Sequence, residues 1–196
     1  MVKKTPTNHG QITHSSPISP RKSKNPGGAL PHLGPLVTYA VGALPGYLQG
    51  AHRCETLREI DEAIQQWAEV VGLTFQRTSE LHARLQVSFQ PLGAPPSPGG
   101  QLAQASAQGI VLDSSERWLL RSQKKPQRFR KAFYLYPVVL HEMGHCLGMK
   151  HSSNRDDVMW PYYREDLWTL SDADKAAARG MRHGDCTCNA NICVIS

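Results

Sequence analysis

An α+β fold, a twisted mixed sheet carrying three helices, is what this sequence predicts, and three observations predict it. Short β-branched or alternating runs between residues 37 and 112 read as strands, interrupted by one long amphipathic stretch, 55–71. A second helical segment carries the run HEMGHCLGMKH, from His141 to His151. A third, rich in alanine, opens after Ser171.

Each element has its own warrant. Val37–Val41 is a β-branched and aromatic run bounded by Pro35 and Gly42. From Glu55 to Val71, Leu57, Ile60, Ile64, Trp67, Ala68 and Val71 recur at helical spacing, with Glu59, Asp61, Glu62 and Gln65 on the outer face and Gly72 as the stop. Thr74–Arg77 reads as a strand. Ala83, Leu85, Val87 and Phe89 alternate with Arg84, Gln86, Ser88 and Gln90, so one side of that strand is buried. Residues 91–100 form a loop by composition, and Gln101–Ala105 and Ile110–Leu112 are the remaining strands. Pro137 suits the first turn of a helix, and Val138, Val139 and Leu140 carry its apolar face into His141, with Leu147 and Met149 packing beneath. Ser171 caps the last helix with Asp174 three residues on, and that helix runs through Ala176, Ala177, Ala178 and Met181 to Gly184. No internal repeat is present.

At 196 residues the chain is long enough for one domain with a substantial core. Residues 35–184 form that domain. Residues 1–34, polar and rich in Pro, Gly, Ser and Lys, read as a disordered arm, and 185–196 as a cysteine-containing tail. The arm lacks the apolar core of a secretory leader, and no run approaches the ~20 apolar residues of a membrane span. The net charge of +6 is concentrated in Arg117, Arg121, Lys124, Lys125, Arg128, Arg130 and Lys131. That segment is either a solvated basic loop or a docking surface for a polyanion or acidic substrate. No nucleic-acid-binding motif accompanies it, and a monomer is expected. Of the five cysteines, Cys146 reads as a small buried hydrophobe. Cys186, Cys188 and Cys193 are open to disulfide pairing, with Cys54 as one partner, to a free-thiol state or to metal binding.

The HEMGHCLGMKH run carries chemistry. On a helix, residues four apart lie about 40° from each other around the axis, so His141 and His145 present both imidazoles on one face as a metal clamp. Glu142 lies beside the clamp, placed to take a proton from an attacking water. Gly148 lets the helix stop and the chain turn back to deliver His151 as a third ligand. Three neutral nitrogens suit zinc and leave its fourth position open, the arrangement of a catalytic site. Met159, eight residues on, is placed to floor the three imidazoles.

This extended pattern with its downstream Met resembles the metzincin clan of zinc endopeptidases. Ser152, the step from His151 to Met159, and Pro161-Tyr162-Tyr163 narrow the resemblance to the matrixins, the catalytic domain of matrix metalloproteinases. It extends from about Leu36 to Met181 and implies a zincin-like fold with an active-site helix, a backing helix and a C-terminal helix. It also implies one strand edge, at Leu102 and Ala103, that pairs with an extended peptide, and a specificity pocket walled by Pro161, Tyr162 and Tyr163. An extracellular setting is favoured by the resemblance alone.

The departures from the family pattern matter. Gln104 and Val111 stand where relatives place histidines for a second, structural zinc, so one zinc is expected. Asp113 and Glu116 match carboxylates that the family uses for calcium, but the accompanying loop, Pro96-Ser97-Pro98-Gly99-Gly100, lacks its usual Asp. Calcium ligation and two solvated acids near a turn are both open for this pair. The segment Ser19-Pro20-Arg21-Lys22-Ser23 has no cysteine of the kind that holds relatives latent. Zinc-dependent hydrolysis of peptide or protein substrates is the expected activity. The rival readings are a non-proteolytic binding module on the same fold and a zinc hydrolase of a non-peptide amide.

Overall fold

Strand β1 (Leu36–Val41) and strand β2 (Thr74–Arg77) pair in parallel because a whole helix, α1 (Arg53–Val71), carries the chain back between them. Strand β3 (Leu85–Gln90) lies parallel on the other side of β1. Strand β5 (Gly109–Asp113) continues the parallel run beside β3. Strand β4 (Ala103–Ser106) joins β5 through a tight turn and is therefore the one antiparallel member. The order across the five-stranded sheet is β2-β1-β3-β5-β4, which leaves β4 at an edge. Strands β6 (Arg117–Leu119) and β7 (Ala132–Tyr134) form a separate parallel pair. Helices α2 (Leu135–Cys146) and α3 (Asp172–His183) complete the order. The computed structural model describes residues 35–92, 100–126 and 131–183. The arm, the tail cysteines, Arg128, Arg130 and the loop at Pro96–Gly99 lie outside the described residues. No helix among the described residues is long and apolar enough to cross a membrane.

The core lies between the sheet and helices α1 and α2. Ile60, Ala63, Ile64 and Trp67 of α1 are buried against α2 and the sheet, as the helical spacing predicts. Trp67 is fully buried, and its indole N–H donates to the Leu140 carbonyl at 2.8 Å, so the residue just before His141 is tied to the backing helix. Gln66 performs a second clamp. Its amide nitrogen donates to the Tyr136 hydroxyl and to the Trp168 carbonyl, while its oxygen accepts from the Leu170 N–H. One side chain thus joins α1, the first turn of α2 and the segment leading into α3.

Two expectations need correction. Glu59 is not on the outer face of α1 but buried, because the Arg121 N–H donates to its carboxylate at 2.6 Å and the Arg121 guanidinium lies 3.5 Å away. Burial nevertheless dominates its titration and raises its pKa. The basic segment is not a continuous loop, since β6 lies within it and β7 follows directly after Lys131. Arg117 stacks on the Tyr47 ring, Arg121 stacks on Tyr136 and pairs with Glu62, and Lys125 pairs with Glu165. Several of its cations are therefore engaged within the molecule. Strand boundaries shift slightly. Residues 80–82 form a helical turn, so the alternation becomes a strand only at Leu85, and the edge strand runs 103–106.

Candidate metal centre

Helix α2 packs against α1, β4 and β5, and the motif fixes how closely it can do so. A Cβ on Gly144 would come within 2.4 Å of the Met159 sulfur and 3.0 Å of the Trp67 ring. A hydrogen there is what admits Met159, itself buried, beneath the helix turn that bears the histidines. The helix ends at Cys146, and Gly148 adopts a φ of 95°, in the region that glycine alone enters freely. The Gly148 N–H donates to the His145 carbonyl and the Met149 N–H to that of Gly144, both at 2.9 Å, and the reversed chain then delivers His151.

Second-nitrogen bonds orient two of the three rings. His141 Nδ1 donates to the Val158 carbonyl at 2.7 Å, and His145 Nδ1 donates to the Met149 carbonyl at 2.8 Å. A carbonyl only accepts, so Nδ1 carries the proton and each Nε2 presents a lone pair. His145 Nε2 lies 3.1 Å from His141 Nε2 and 3.0 Å from His151 Nε2, and the three ligand atoms fall within 4.8 Å of one another. Converging lone pairs without a proton between them repel, and a cation at their focus removes the conflict. Zinc with nitrogen ligands at about 2.0–2.1 Å in a tetrahedron sets those nitrogens about 3.3 Å apart, so the donor set fits that ion. It is the one such group of His, Cys, Asp or Glu side chains among the described residues.

Glu142 is buried beside the clamp. Its Oε2 has no hydrogen-bond partner among the described residues, and burial pushes its pKa up to about 8. Cys146, one turn on, is buried as expected, and burial with Glu142 nearby pushes its thiol up to about 12. Asp174, which the sequence places only in the cap of the last helix, also holds the Met159 segment. Asp174, buried at the start of α3, accepts from the Val158 N–H at 2.8 Å, the Met159 N–H at 3.3 Å and the Ser171 N–H at 3.0 Å. Ser171 Oγ in turn accepts from the Asp174 N–H, so the expected cap is reciprocal and also fixes the carbonyl that orients His141. The serine–aspartate spacing was the available signal for this link.

The remaining sequence-derived positions fall as follows. Ala103 opens β4 and is buried, and Leu102, half-buried, lies just before it, its carbonyl accepting from Asp113 N. Gln104 and Val111 are directly opposed across β4 and β5. Tyr162 is exposed. Pro161 is exposed as well. Tyr163 is half-buried, its hydroxyl accepting from the Tyr134 N–H at 2.9 Å and its ring meeting Phe133 edge-on. Asp113 and Glu116 are both buried, at 1% and 2% exposure, which overturns the reading of two solvated acids. Asp113 Oδ1 accepts from Ser115 N–H and Oγ, whereas Oδ2 is buried with no partner among the described residues.

The titrations predict a stability profile for the metal-free protein. Burial and the neighbouring imidazoles depress His141 from 6.5 to about 3, and burial lowers His145 as well. Depressed folded-state pKa values mean that this contribution is complete above pH 6.5 and is lost as pH falls toward 3. Glu142, raised from 4.5 to about 8, works in the opposite sense and removes stability as pH rises between those values. Thermal unfolding of metal-free protein is expected to show maximal stability near pH 6.5. Glu142→Gln is expected to flatten the decline on the alkaline side, and an unchanged decline would contradict this assignment.

Comparison with known proteins agrees with this geometry. The family model described as Matrixin matches residues 36–181. Interstitial collagenase of Sus scrofa is 32% identical over 140 residues, 64% of this chain and 28% of the relative. Matrix metalloproteinase-20 of Homo sapiens is 30% identical over 129 residues, 60% and 25% of the two chains, and stromelysin-1 of Rattus norvegicus is 34% identical over 119 residues, 54% and 23%. The matched region spans about a quarter of the length of these relatives. With the family model covering most of the chain, and with three helices and a five-stranded mixed sheet around a histidine triad, this chain belongs to the matrixin family of metallopeptidases.

Proposed function

We propose that this chain is a zinc-dependent endopeptidase holding one zinc at the Nε2 atoms of His141, His145 and His151. The observation that carries the reading is the convergence of three imidazoles, two of them locked by backbone carbonyls into the tautomer that offers a lone pair. Zinc there would polarise the scissile carbonyl, lower the pKa of an attacking water from about 15.7 toward about 7, and by its charge pull Glu142 below the value of the metal-free site. Glu142, unpartnered at Oε2 and excluded from solvent, takes the proton from the attacking water and returns it to the departing amine. The open side of β4 pairs with an extended peptide next to α2, and main-chain pairing grips without reading sequence. Pro161, Tyr162 and Tyr163 wall the pocket that selects a side chain, with Tyr163 braced by Phe133 and Tyr134.

Calcium is proposed at Asp113 and Glu116. Its support is the buried, unpartnered Asp113 Oδ2 and the hard oxygen donors of both residues. Added calcium is expected to raise the melting temperature of the wild type but not of Asp113→Ala. An equal response from both would remove Asp113 from any calcium site.

Peptide cleavage abolished by a chelator and restored by zinc separates this reading from a binding module. Activity on acyl amides but on no peptide would favour the non-peptide hydrolase. Glu142→Ala is expected to retain fold and zinc but lose about 10²–10⁴-fold in turnover, whereas His145→Ala loses zinc and activity together. Near-normal turnover in a verified Glu142→Ala preparation would refute the general-base role.

A further inference from the structure

We propose that Asp157 is a positioning residue for His151, setting how firmly the third ligand is presented and so the affinity and geometry of the metal site. This rests on the metal-centre reading given above. The three ligands are unequally held. His141 and His145 each have an Nδ1 bond to a carbonyl, but His151 is exposed and its Nδ1 has no hydrogen-bond partner among the described residues. No hydrogen bond from the described residues fixes that ring from its far side, so its placement there depends on the backbone that carries it.

That backbone is pinned at the next residue by two bonds. The Ser152 N–H donates to the Met159 carbonyl at 2.8 Å, and Ser152 Oγ donates to Asp157 Oδ2 at 2.5 Å. Asp157 is itself immobilised. It is 4% exposed, and its other oxygen accepts from Asn154 Nδ2 at 3.0 Å and from Ser171 Oγ at 2.8 Å. Its main chain closes the same loop, with its N–H on the Asn154 carbonyl and its carbonyl receiving the Trp160 N–H. A buried carboxylate with three donors has one stable orientation, because any rotation leaves a charge and a donor unsatisfied.

Asp157 therefore joins the loop leaving His151, the Met159 turn and the cap of α3. The alternative is that it serves only to hold α3 in place, which would affect folding and leave the metal site of the folded protein untouched. Partners that orient metal ligands from outside the coordination shell change affinity by about 10–100-fold when removed. Ser152 is the link through which Asp157 would reach His151, and it is separable from the α3 contact made through Ser171.

The test uses the full chain, with zinc affinity measured by competition against a chromophoric chelator, and the visible spectrum of the cobalt(II)-loaded protein as a reporter of ligand geometry. Ser152→Ala and Asp157→Ala are each expected to weaken zinc binding by about 10–100-fold and to alter the cobalt spectrum, with Asp157→Asn affected less. The double variant Ser152→Ala/Asp157→Ala should bind no more weakly than Asp157→Ala, since both act through one bond. Should Asp157→Ala not fold, Ser152→Ala, which removes a single half-buried hydroxyl, decides the matter. Folded variants with lowered melting temperatures but wild-type zinc affinity and cobalt spectrum would overturn the proposal. A wild-type chain that takes up neither metal would instead overturn the metal-centre reading, and this inference with it.

Discussion

Three imidazole lone pairs aimed at one point are an unfavourable arrangement, and much of the surrounding structure serves to maintain it. Left alone the rings would rotate apart or share a proton. Carbonyls of Val158 and Met149 prevent the rotation by holding the Nδ1–H groups of His141 and His145, and burial disfavours the added proton. Those carbonyls come from segments that are themselves held. Gly148 turns the chain so that Met149 faces back toward the helix, and Asp174 grips the backbone N–H groups of Val158 and Met159. Trp67, bonded to the Leu140 carbonyl, fixes the helix from its other side, and Gly144 allows Met159 to close the gap beneath it.

Buried carboxylates divide into two groups by how well they are satisfied. Asp157 and Asp174 each accept three hydrogen bonds and act as fixed struts between α3 and the metal centre. Glu142 and Asp113 each keep an oxygen buried and unpartnered among the described residues. An unsatisfied buried oxygen costs free energy unless a proton, water or cation reaches it. Glu59 keeps such an oxygen too while its other one accepts from the Arg121 N–H, so an unpartnered oxygen by itself does not mark a group left ready for chemistry or an ion.

The histidine cluster of the candidate metal site was legible because its members are local. His141 and His145 share one helix turn, and the chain needs only the reversal at Gly148 to add His151, so spacing alone encodes the geometry. The long amphipathic helix and the alternating strand were legible for the same reason. What escaped reading depends on contacts distant in sequence. Glu59 looked like a surface acid because its partner, Arg121, stands 62 residues away. Strands of three residues, such as β6 and β7, have too little periodicity to announce themselves, and the charge of the segment between them drew attention to solvent. The roles of Gln66 and Asp157, and the reach of Asp174 beyond its cap to Val158 and Met159, arise from where α3 docks, which no local pattern states.

X-ray absorption at the zinc edge, on full-length chain stripped of metal and reconstituted with zinc, tests the central claim most directly. The account predicts one zinc per chain, with a nitrogen and oxygen shell at about 2.0–2.1 Å and no sulfur neighbour near about 2.3 Å. A sulfur shell, or a second tightly held zinc, would show that cysteines or another site bind the metal and would contradict it.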